Sequence, residues 1–342
     1  MKTFIIAEAG VNHNGSLAIA KEMVDAAVSA GSDAVKFQTF KADRVVTNTA
    51  AKARYQIENT GTEESQMKML KKLELSVEVH NELLSYCKRK DITFISTPFD
   101  EQSADMLDSL GMSIFKIPSG EITNKPLIQH IAAKAKPIFL STGMSYLGEV
   151  EKAIHWINEC WNKLKEKPQL TLLHCVSNYP AAVEDVNLLA MKSMQTAFGL
   201  PVGYSDHTVG IEISIAAVAM GAVVIEKHFT LDKKMEGPDH RASLEPQELK
   251  AMVEAIRNME RAIGDGIKRP VKNEEDTRDI ARRSIVAIRD IKRGNTITLN
   301  DIGIKRPGTG IPPEFKEIII GMVARQHISA DSVIKWEDLK HA

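Results

Sequence analysis

Two neighbouring segments, GYSDHTVG (residues 203–210) and AVVIEKHFTLDKKMEGPDH (residues 222–240), decide the fold of this chain. Each contains or follows a short apolar run typical of a buried parallel strand, and each run ends abruptly in polar residues. The Ala- and Ile-rich residues 212–220, closed by Gly221, lie between them and predict a buried helix. The pattern therefore indicates a strand–helix–strand unit with parallel strands.

Two histidines stand at the carboxyl ends of these strands, His207 after the first and His228 after the second. If the strands are neighbours, their backbones lie about 4.8 Å apart, and the two imidazoles can share one divalent metal ion. An isolated strand-end histidine is usually a hydrogen-bonded structural residue, whereas this pair stands beside two carboxylates. We expect those carboxylates, Asp206 and Glu226, to support the histidines or to act as acid and base.

The bulk composition excludes several classes of protein. The chain has 342 residues, of which 43% are hydrophobic and 26% charged, enough for one large domain and a small one. A formal net charge of −1 gives no field that would favour nucleic acid or an anionic membrane. No apolar run is long enough for a membrane span or a signal peptide, and three scattered cysteines favour a reduced, cytoplasmic location.

The rest of the chain repeats the strand–helix unit. Apolar strands are predicted at residues 3–7, 34–37, 93–96, 113–117, 137–140, 170–175, 201–205 and 223–225. Eight such units in this length indicate an α/β fold, the (β/α)8 TIM barrel, over residues 1–263. An open doubly wound sheet is the alternative, but no G-x-G-x-x-G motif follows the first strand to indicate dinucleotide binding.

Three segments depart from this repeat. Residues 41–72 form a long polar excursion with one short helix predicted near residues 64–72, a length typical of a functional lid. Residues 264–283 are polar and charged and predict a linker. Residues 284–342 contain short β-like runs and predict a small, mostly-β domain near the lower size limit for independent stability.

In such a barrel, the carboxyl ends of all eight strands face one pocket. The polar residues at those ends are Glu8, Lys36, Gln38, Thr97, Lys116, Ser119, Ser141, Asn178, Ser205, His207, Glu226 and His228. Ammonium and hydroxyl groups together suit a small substrate that carries phosphate and carboxylate, and a metal on the histidines would polarise a carbonyl. The set predicts carbon–carbon bond formation between a phosphorylated three-carbon anion and an aldehyde, with Glu8 as acid or base.

Two other functions remain open from the residues alone. A class I aldolase would use Lys116 to form a Schiff base, which needs no metal and leaves the two histidines unexplained. A carbohydrate- or ice-binding protein would use the small domain, but it has no need of two lysines and two histidines at the strand ends.

Nine segments across nearly the whole chain resemble the sialic acid synthase family. They are AEAGVNHNG (7–15), VKFQTF (35–40), STPFD (96–100), FKIPSGEI (115–122), LSTGM (140–144), LLHCVSNYP (172–180), VGYSDHT (202–208), IEKHFTLDKKMEGPDH (225–240) and KRPGTGI (305–311). The resemblance implies a TIM barrel followed by a type III antifreeze-like (SAF) domain. It also implies a homodimer in which each small domain covers the partner's barrel mouth.

The resemblance also implies roles for individual residues. His207 and His228 would bind a divalent metal, most often manganese, with magnesium or cobalt as substitutes. The residues that would hold phosphoenolpyruvate are Lys36, Thr97, Lys116, Ser119, Ser141, Asn178 and Ser205. Gln38 and Glu121 would line the site, and Glu8 would lie beside the reacting carbonyl. The aminosugar would meet Tyr179, Asp239 and Arg306 of the partner subunit.

The activity implied is a condensation of phosphoenolpyruvate with an aminosugar to give a nine-carbon 2-keto acid and phosphate, for cell-surface polysaccharides. We expect an N-acetylmannosamine-like sugar first. The alternative is 2,4-diacetamido-2,4,6-trideoxymannose, the precursor of legionaminic acid. The pseudaminic acid branch fits less well, because of the GPDH segment at residues 237–240.

Overall fold

Eight parallel strands form a closed barrel. The structure of the protein, a computed structural model, describes residues 2–61 and 64–342. The strands are β1 (Phe4–Gly10), β2 (Ala34–Thr39), β3 (Thr93–Pro98), β4 (Phe115–Ile117), β5 (Ile138–Ser141), β6 (Leu170–Cys175), β7 (Val202–Asp206) and β8 (Val224–His228). Hydrogen bonds join them in the order β3-β2-β1-β8-β7-β6-β5-β4, and β3 lies against β4 to close the ring. The predicted TIM barrel is confirmed.

Helices follow the strands along the chain. They are α1 (Leu17–Ala30), α2 (Ala42–Val45), α3 (Arg54–Thr60), α4 (Gln66–Leu73), α5 (Val77–Arg89), α6 (Glu101–Ser109), α7 (Lys125–Ala132), α8 (Leu147–Trp161), α9 (Leu189–Phe198), α10 (Glu212–Ala219) and α11 (Pro246–Ile263). Local signals set their ends: Ser16 caps α1 by accepting the Ile19 N–H, and Gly31 ends it at φ 80°. Over the residues that the structure describes, no helix has both the length and the apolar content to cross a membrane.

The barrel interior is apolar at its amino end. Ile6, Ile95, Leu173 and Val224 belong to a buried cluster inside the ring, while the outward-facing side chains pack under the helices. Because strand side chains alternate, the residue two positions after each of these also points inward. Polar side chains inside the barrel therefore gather at the carboxyl end, where they are not covered by the apolar cluster.

The structure corrects several predicted boundaries. Strands β1 and β8 run on to Gly10 and His228, so that Glu8 and His228 lie within strands rather than after them. The excursion at residues 41–72 contains three short helices, α2, α3 and α4, instead of one. Its residues Thr62 and Glu63 lie outside the described part of the chain.

The chain divides into two units, Met1–Gly264 and Asp265–Ala342. The second unit contains α12 (Glu275–Ala281), β9 (Ser284–Ala287), β10 (Ile302–Lys305), α13 (Lys316–Ile319), β11 (Val323–Ala324) and β12 (Leu339–Lys340). Antiparallel pairs β9–β10 and β11–β12 enclose its own core, which includes Ile285, Ile297 and Ile334. The predicted mostly-β character is confirmed.

Candidate active site

A cavity of about 450 Å³ lies at the carboxyl end of the barrel and collects most of the predicted site residues. They are Glu8, Lys36, Gln38, Thr97, Lys116, Ser119, Ser141, Tyr179, Ser205, His207, His228 and Asp239. Glu121 and Asn178 do not line it: Glu121 accepts a hydrogen bond from Asn124 Nδ2 at 2.7 Å, and Asn178 is exposed. Arg306 is an exposed residue of the second unit.

Two buried lysines and two buried carboxylates form one ion network in this cavity. Lys36 Nζ lies 2.8 Å from Glu8 Oε2 and 3.5 Å from Glu226 Oε2. Lys116 Nζ lies 3.6 Å from Glu226 Oε1, and each of the four side chains is at most 5% exposed. The network offers two desolvated ammonium groups to an anionic ligand. Glu226, which the sequence predicts as a support for the histidines or as an acid–base group, instead joins the two lysines.

The two carboxylates differ in their affinity for protons. Burial raises the pKa of Glu8 to about 7, against the opposing effect of Lys36. Burial alone would also raise the pKa of Glu226, but Lys116 and Lys36 together lower it to about 2. Near neutral pH, Glu226 is therefore a fixed anion, whereas Glu8 can both hold and release a proton.

The pKa values of the two lysines shift in opposite directions. Burial alone would lower the pKa of Lys36, but Glu226 and Glu8 hold it above its ordinary value. Burial lowers the pKa of Lys116, against the opposing effect of Glu226. Lys36 is therefore the more firmly charged of the two.

Hydroxyl groups lie in the same cavity as the ion network. Lys36 donates to Thr97 Oγ1 at 2.9 Å, and Ser205 Oγ donates to Glu226 Oε1 at 2.9 Å. Ser141 Oγ is buried without a hydrogen-bond partner. An unpartnered buried hydroxyl is costly, and it is explained if a ligand completes it.

A glycine brings the backbone close to this group of hydroxyls. Ser119 Oγ accepts the Gly143 N–H at 3.0 Å and lies 3.1 Å from Cys175 Sγ. A Cβ atom at position 143 would lie only 2.8 Å from Ser119 Oγ, so the close approach requires glycine. The Ser119 hydroxyl, held in place by the Gly143 N–H, can donate its own hydrogen to an oxyanion.

The two histidines lie side by side. The register of β7 and β8 pairs Asp206 with Lys227, and the ring centroids of His207 and His228 are 5.5 Å apart. His207 Nδ1 donates to the Val176 carbonyl oxygen at 2.6 Å, which leaves Nε2 as a free electron-pair donor. His228 Nδ1 is buried without a hydrogen-bond partner.

Both imidazoles are neutral, as metal ligation requires. Burial lowers the pKa of His207 to about 4 and holds that of His228 well below its ordinary value. Across residues 2–61 and 64–342, no group of three or more His, Cys, Asp or Glu side chains is arranged to hold a metal ion. The two imidazoles would therefore leave the remaining coordination positions to water and substrate.

Asp206, one of the two carboxylates that precede the histidines in the sequence, does not line the cavity. Asp206 faces away from the cavity, because it alternates with Ser205 and His207 along the chain, and it pairs with Lys227 outside the barrel. The acid–base alternative for Asp206 is therefore wrong, whereas a supporting role for this carboxylate stays a prediction.

The excursion contributes an aromatic residue that the sequence analysis did not identify. The Tyr179 ring lies 4.1 Å from the His207 ring and 5.1 Å from the Tyr55 ring of α3, centroid to centroid. Both tyrosines and Asp239 line the cavity, and burial raises the pKa of Asp239 to about 7. The excursion therefore takes part in the site, but its sequence has no periodicity that would have indicated Tyr55.

The excursion also supplies an apolar wall. Its members Val45, Val46, Met69, Leu70 and Leu73 line the cavity. Met69 and Leu73 are buried in a small cluster separate from the barrel core. One side of the cavity thus suits an apolar group of a substrate, opposite in character to the lysine network.

Comparison with known proteins identifies the family of the chain. A family model described as NeuB matches residues 23–268, and a model of the SAF domain matches residues 282–340. The chain is 52% identical to N,N'-diacetyllegionaminic acid synthase of Campylobacter jejuni, over 98% of this chain and 99% of that protein. It is 51% identical to the enzyme of the same name from Legionella pneumophila, over 99% and 95%.

A solved structure agrees with this assignment. The N-acetylneuraminic acid synthetase of Leptospira borgpetersenii, in complex with citrate, superimposes with a TM-score of 0.70 at 35% identity, over 81% of this chain and 90% of that one. With a family model that covers most of the barrel and two relatives at about half identity over nearly the full length, the chain belongs to the NeuB family.

Proposed function

We propose that this protein is an N,N'-diacetyllegionaminic acid synthase, which joins phosphoenolpyruvate to 2,4-diacetamido-2,4,6-trideoxymannose. The enzyme is a synthase of the sialic acid type, a transferase that condenses phosphoenolpyruvate with an aminosugar. The single observation that carries this function is the convergence of Lys36, Lys116, His207 and His228 on one cavity. Two cations suit the phosphate and carboxylate of one substrate, and the imidazoles suit the carbonyl of the other.

The choice of sugar rests on two observations. The sequence motifs favour N-acetylmannosamine first, but the relatives at 52% and 51% identity bear the name of the legionaminic acid enzyme, whereas the sialic acid synthetase is 35% identical. The apolar wall, which includes Val46, Met69 and Leu70, also suits a methyl group. The C6 methyl of the 6-deoxy sugar can be buried there, whereas the C6 hydroxyl of N-acetylmannosamine would lose its hydrogen bonds.

We propose that His207 and His228 hold a divalent cation, manganese in the first instance. The unpartnered Nδ1 of His228 and the free Nε2 of His207 fit this role, since both rings are neutral and buried. When bound, the ion would act as a Lewis acid toward a carbonyl oxygen.

The chain's own residues account for binding and proton handling. Lys36 and Lys116, both buried, offset the charge of phosphoenolpyruvate. As C3 of phosphoenolpyruvate attacks the aldehyde carbon, the Glu8 carboxyl, whose pKa is near 7, donates a proton to the aldehyde oxygen. Water then adds at C2 and returns a proton to Glu8. The C2–O bond to phosphate breaks as the new C2 hydroxyl becomes the ketone, and the hydroxyl proton leaves with the phosphate. The sum is phosphoenolpyruvate, aldehyde and water giving the 2-keto acid and phosphate.

We further propose a homodimer with exchanged small domains: residues 1–263 as the catalytic domain, 264–283 as the linker and 284–342 as the SAF domain. Arg306 of the partner subunit would then reach the aminosugar. A reduced, cytoplasmic compartment suits the free cysteines Cys87, Cys160 and Cys175. Mixing Lys116→Met chains with Arg306→Ala chains tests the exchange: mixed dimers should regain activity, and no recovery would argue against it.

The proposed function is tested by incubating the protein with phosphoenolpyruvate, manganese and each candidate sugar in parallel. We expect phosphate release that depends on the sugar, a product of the mass of diacetyllegionaminic acid, and a kcat/KM at least about tenfold higher for the 6-deoxy sugar. A faster reaction with N-acetylmannosamine would contradict the choice of sugar. Full activity after treatment with a chelator would contradict the metal.

A further inference from the structure

We infer that the buried ion pair Asp206–Lys227, on the outer face of the barrel, is a positioning device that fixes the spacing of His207 and His228. The inference rests on the proposed metal-binding role of the two histidines. It assigns a function to two charged residues that touch neither the cavity nor the proposed substrates.

The pair is fully enclosed. Asp206 and Lys227 are both 0% exposed, and Lys227 Nζ lies 2.9 Å from Asp206 Oδ2. The two residues are direct register partners, so the ion pair joins β7 to β8 at the last paired position of β7. His207 follows Asp206 directly in the sequence, and His228 follows Lys227.

The aspartate is also saturated with hydrogen bonds. Its Oδ1 accepts the Thr208 N–H at 2.9 Å and the Thr208 hydroxyl at 2.7 Å, and its Oδ2 accepts the Ser214 hydroxyl at 2.7 Å. Lys227 in turn donates to the Thr208 carbonyl oxygen at 2.6 Å. The backbone N–H and the backbone carbonyl oxygen of Thr208 thus both form hydrogen bonds with the ion pair.

This arrangement holds the backbone on both sides of His207. Asp206 precedes the histidine and Thr208 follows it, and the pair binds both residues. The His207 carbonyl oxygen accepts the Ala181 N–H at 2.8 Å. His228 follows Lys227 directly and is held by the Leu244 N–H, which donates to its carbonyl oxygen at 2.9 Å. Since side chains alternate along a strand, anchoring the outer residues sets the direction of the inner imidazoles.

Stability alone does not explain a pair of this kind. The cost of removing two charges from water commonly equals or exceeds their mutual attraction, and apolar side chains of similar volume often stabilise as well or better. A role in stability therefore predicts that an uncharged replacement of both residues is harmless. A positioning role predicts that the same replacement restores stability but not the metal site.

The experiment compares the wild type with its variants, each as the purified full-length protein. The measured quantity is the affinity for manganese alone, obtained from the paramagnetic resonance signal of the free ion. We expect Asp206→Asn to weaken binding by about 10- to 100-fold, as loss of a group that orients a metal ligand does. The double variant Asp206→Asn/Lys227→Met should recover much of the free energy of unfolding but keep the weakened affinity. Excess manganese should restore activity in both.

Matched controls separate positioning from stability. Asp33 is a carboxylate at the amino end of the barrel, which accepts the Ile5 N–H at 2.9 Å and pairs with Arg257 at 2.6 Å. Asp33→Asn should lower the free energy of unfolding but leave the affinity for manganese unchanged within about twofold. If Asp206→Asn does not fold, the double variant Asp206→Asn/Lys227→Met takes its place, since it removes the ion pair without leaving an unpaired buried charge.

The outcomes are distinct. Weakened binding in the Asp206 variants, with Asp33→Asn unaffected, supports the inference. Binding equal to the wild type in the folded double variant overturns it while the metal site stands. If His207→Ala binds manganese as the wild type does, the proposed metal site fails and the inference fails with it.

Discussion

Buried polar side chains on the two faces of the β7–β8 pair differ in whether their hydrogen bonds are satisfied within the chain. On the outer face, Asp206 and Lys227 satisfy each other and are completed by Thr208 and Ser214. On the inner face, one residue away, His228 Nδ1 has no hydrogen-bond partner. Burying polar atoms is costly unless they are paired, so the outer face is complete in itself. On the inner face, the unpartnered imidazole nitrogen of His228 is explained by a bound ligand, which the chain itself does not supply.

The largest effect is expected from removing an inner charge. Lys116→Met should lower kcat/KM by about 10³-fold, because it takes away a buried ammonium group that offsets the charge of phosphoenolpyruvate. Steady-state measurement of phosphate release gives the value. The exposed Lys152→Met is the control and should have no effect.

The same lysine distinguishes the synthase from a Schiff-base aldolase. Borohydride treatment in the presence of pyruvate should leave the wild-type protein unmodified, as seen by its intact mass. A covalent adduct on Lys116 would contradict the assignment of this lysine to charge binding.

A second effect concerns pH. Burial raises the pKa of Asp239 from 3.8 to about 7, so the folded protein binds a proton that the unfolded chain has released between these values. The free energy of unfolding of the ligand-free protein should therefore fall as the pH rises from about 4 to about 7, by up to about 4 kcal/mol from this group. Urea titrations should show this slope in the wild type.

Asp239→Asn sharpens the test, because it removes the ionisation and keeps the size of the side chain. We expect its free energy of unfolding to vary less with pH than that of the wild type, and to exceed it near pH 8. Identical slopes for the two proteins would show that Asp239 ionises at its ordinary pKa.

The smallest effect is expected at the apolar wall. Met69→Gln keeps the length of the side chain but places an amide where we propose that the C6 methyl lies. The ratio of kcat/KM for the 6-deoxy sugar to that for N-acetylmannosamine should fall by about tenfold, while the KM for phosphoenolpyruvate stays the same. Met23, a fully buried methionine of α1, gives the control Met23→Leu, which should leave the ratio unchanged.

The sequence predicts the inner face well and the outer face poorly. Polar residues that end apolar strands indicate the cavity, because eight parallel strands must bring their carboxyl ends together. The sequence does not predict the outward direction of Asp206, because its face depends on a one-residue alternation: β7 continues through Asp206, and this turns the side chain outward. Tyr55 lies in a segment without regular periodicity, and the helix predicted near residues 64–72 does not by itself show that Met69 faces the cavity. Only their packing in the fold reveals the two residues.

The most direct measurement is a crystal structure of the protein grown with manganese and phosphoenolpyruvate, with anomalous scattering used to locate the metal. The account predicts one manganese peak in contact with the imidazoles of both His207 and His228, and phosphoenolpyruvate between Lys36 and Lys116. Two rings turned away from each other, with no manganese between them and the ligand bound elsewhere, would contradict it.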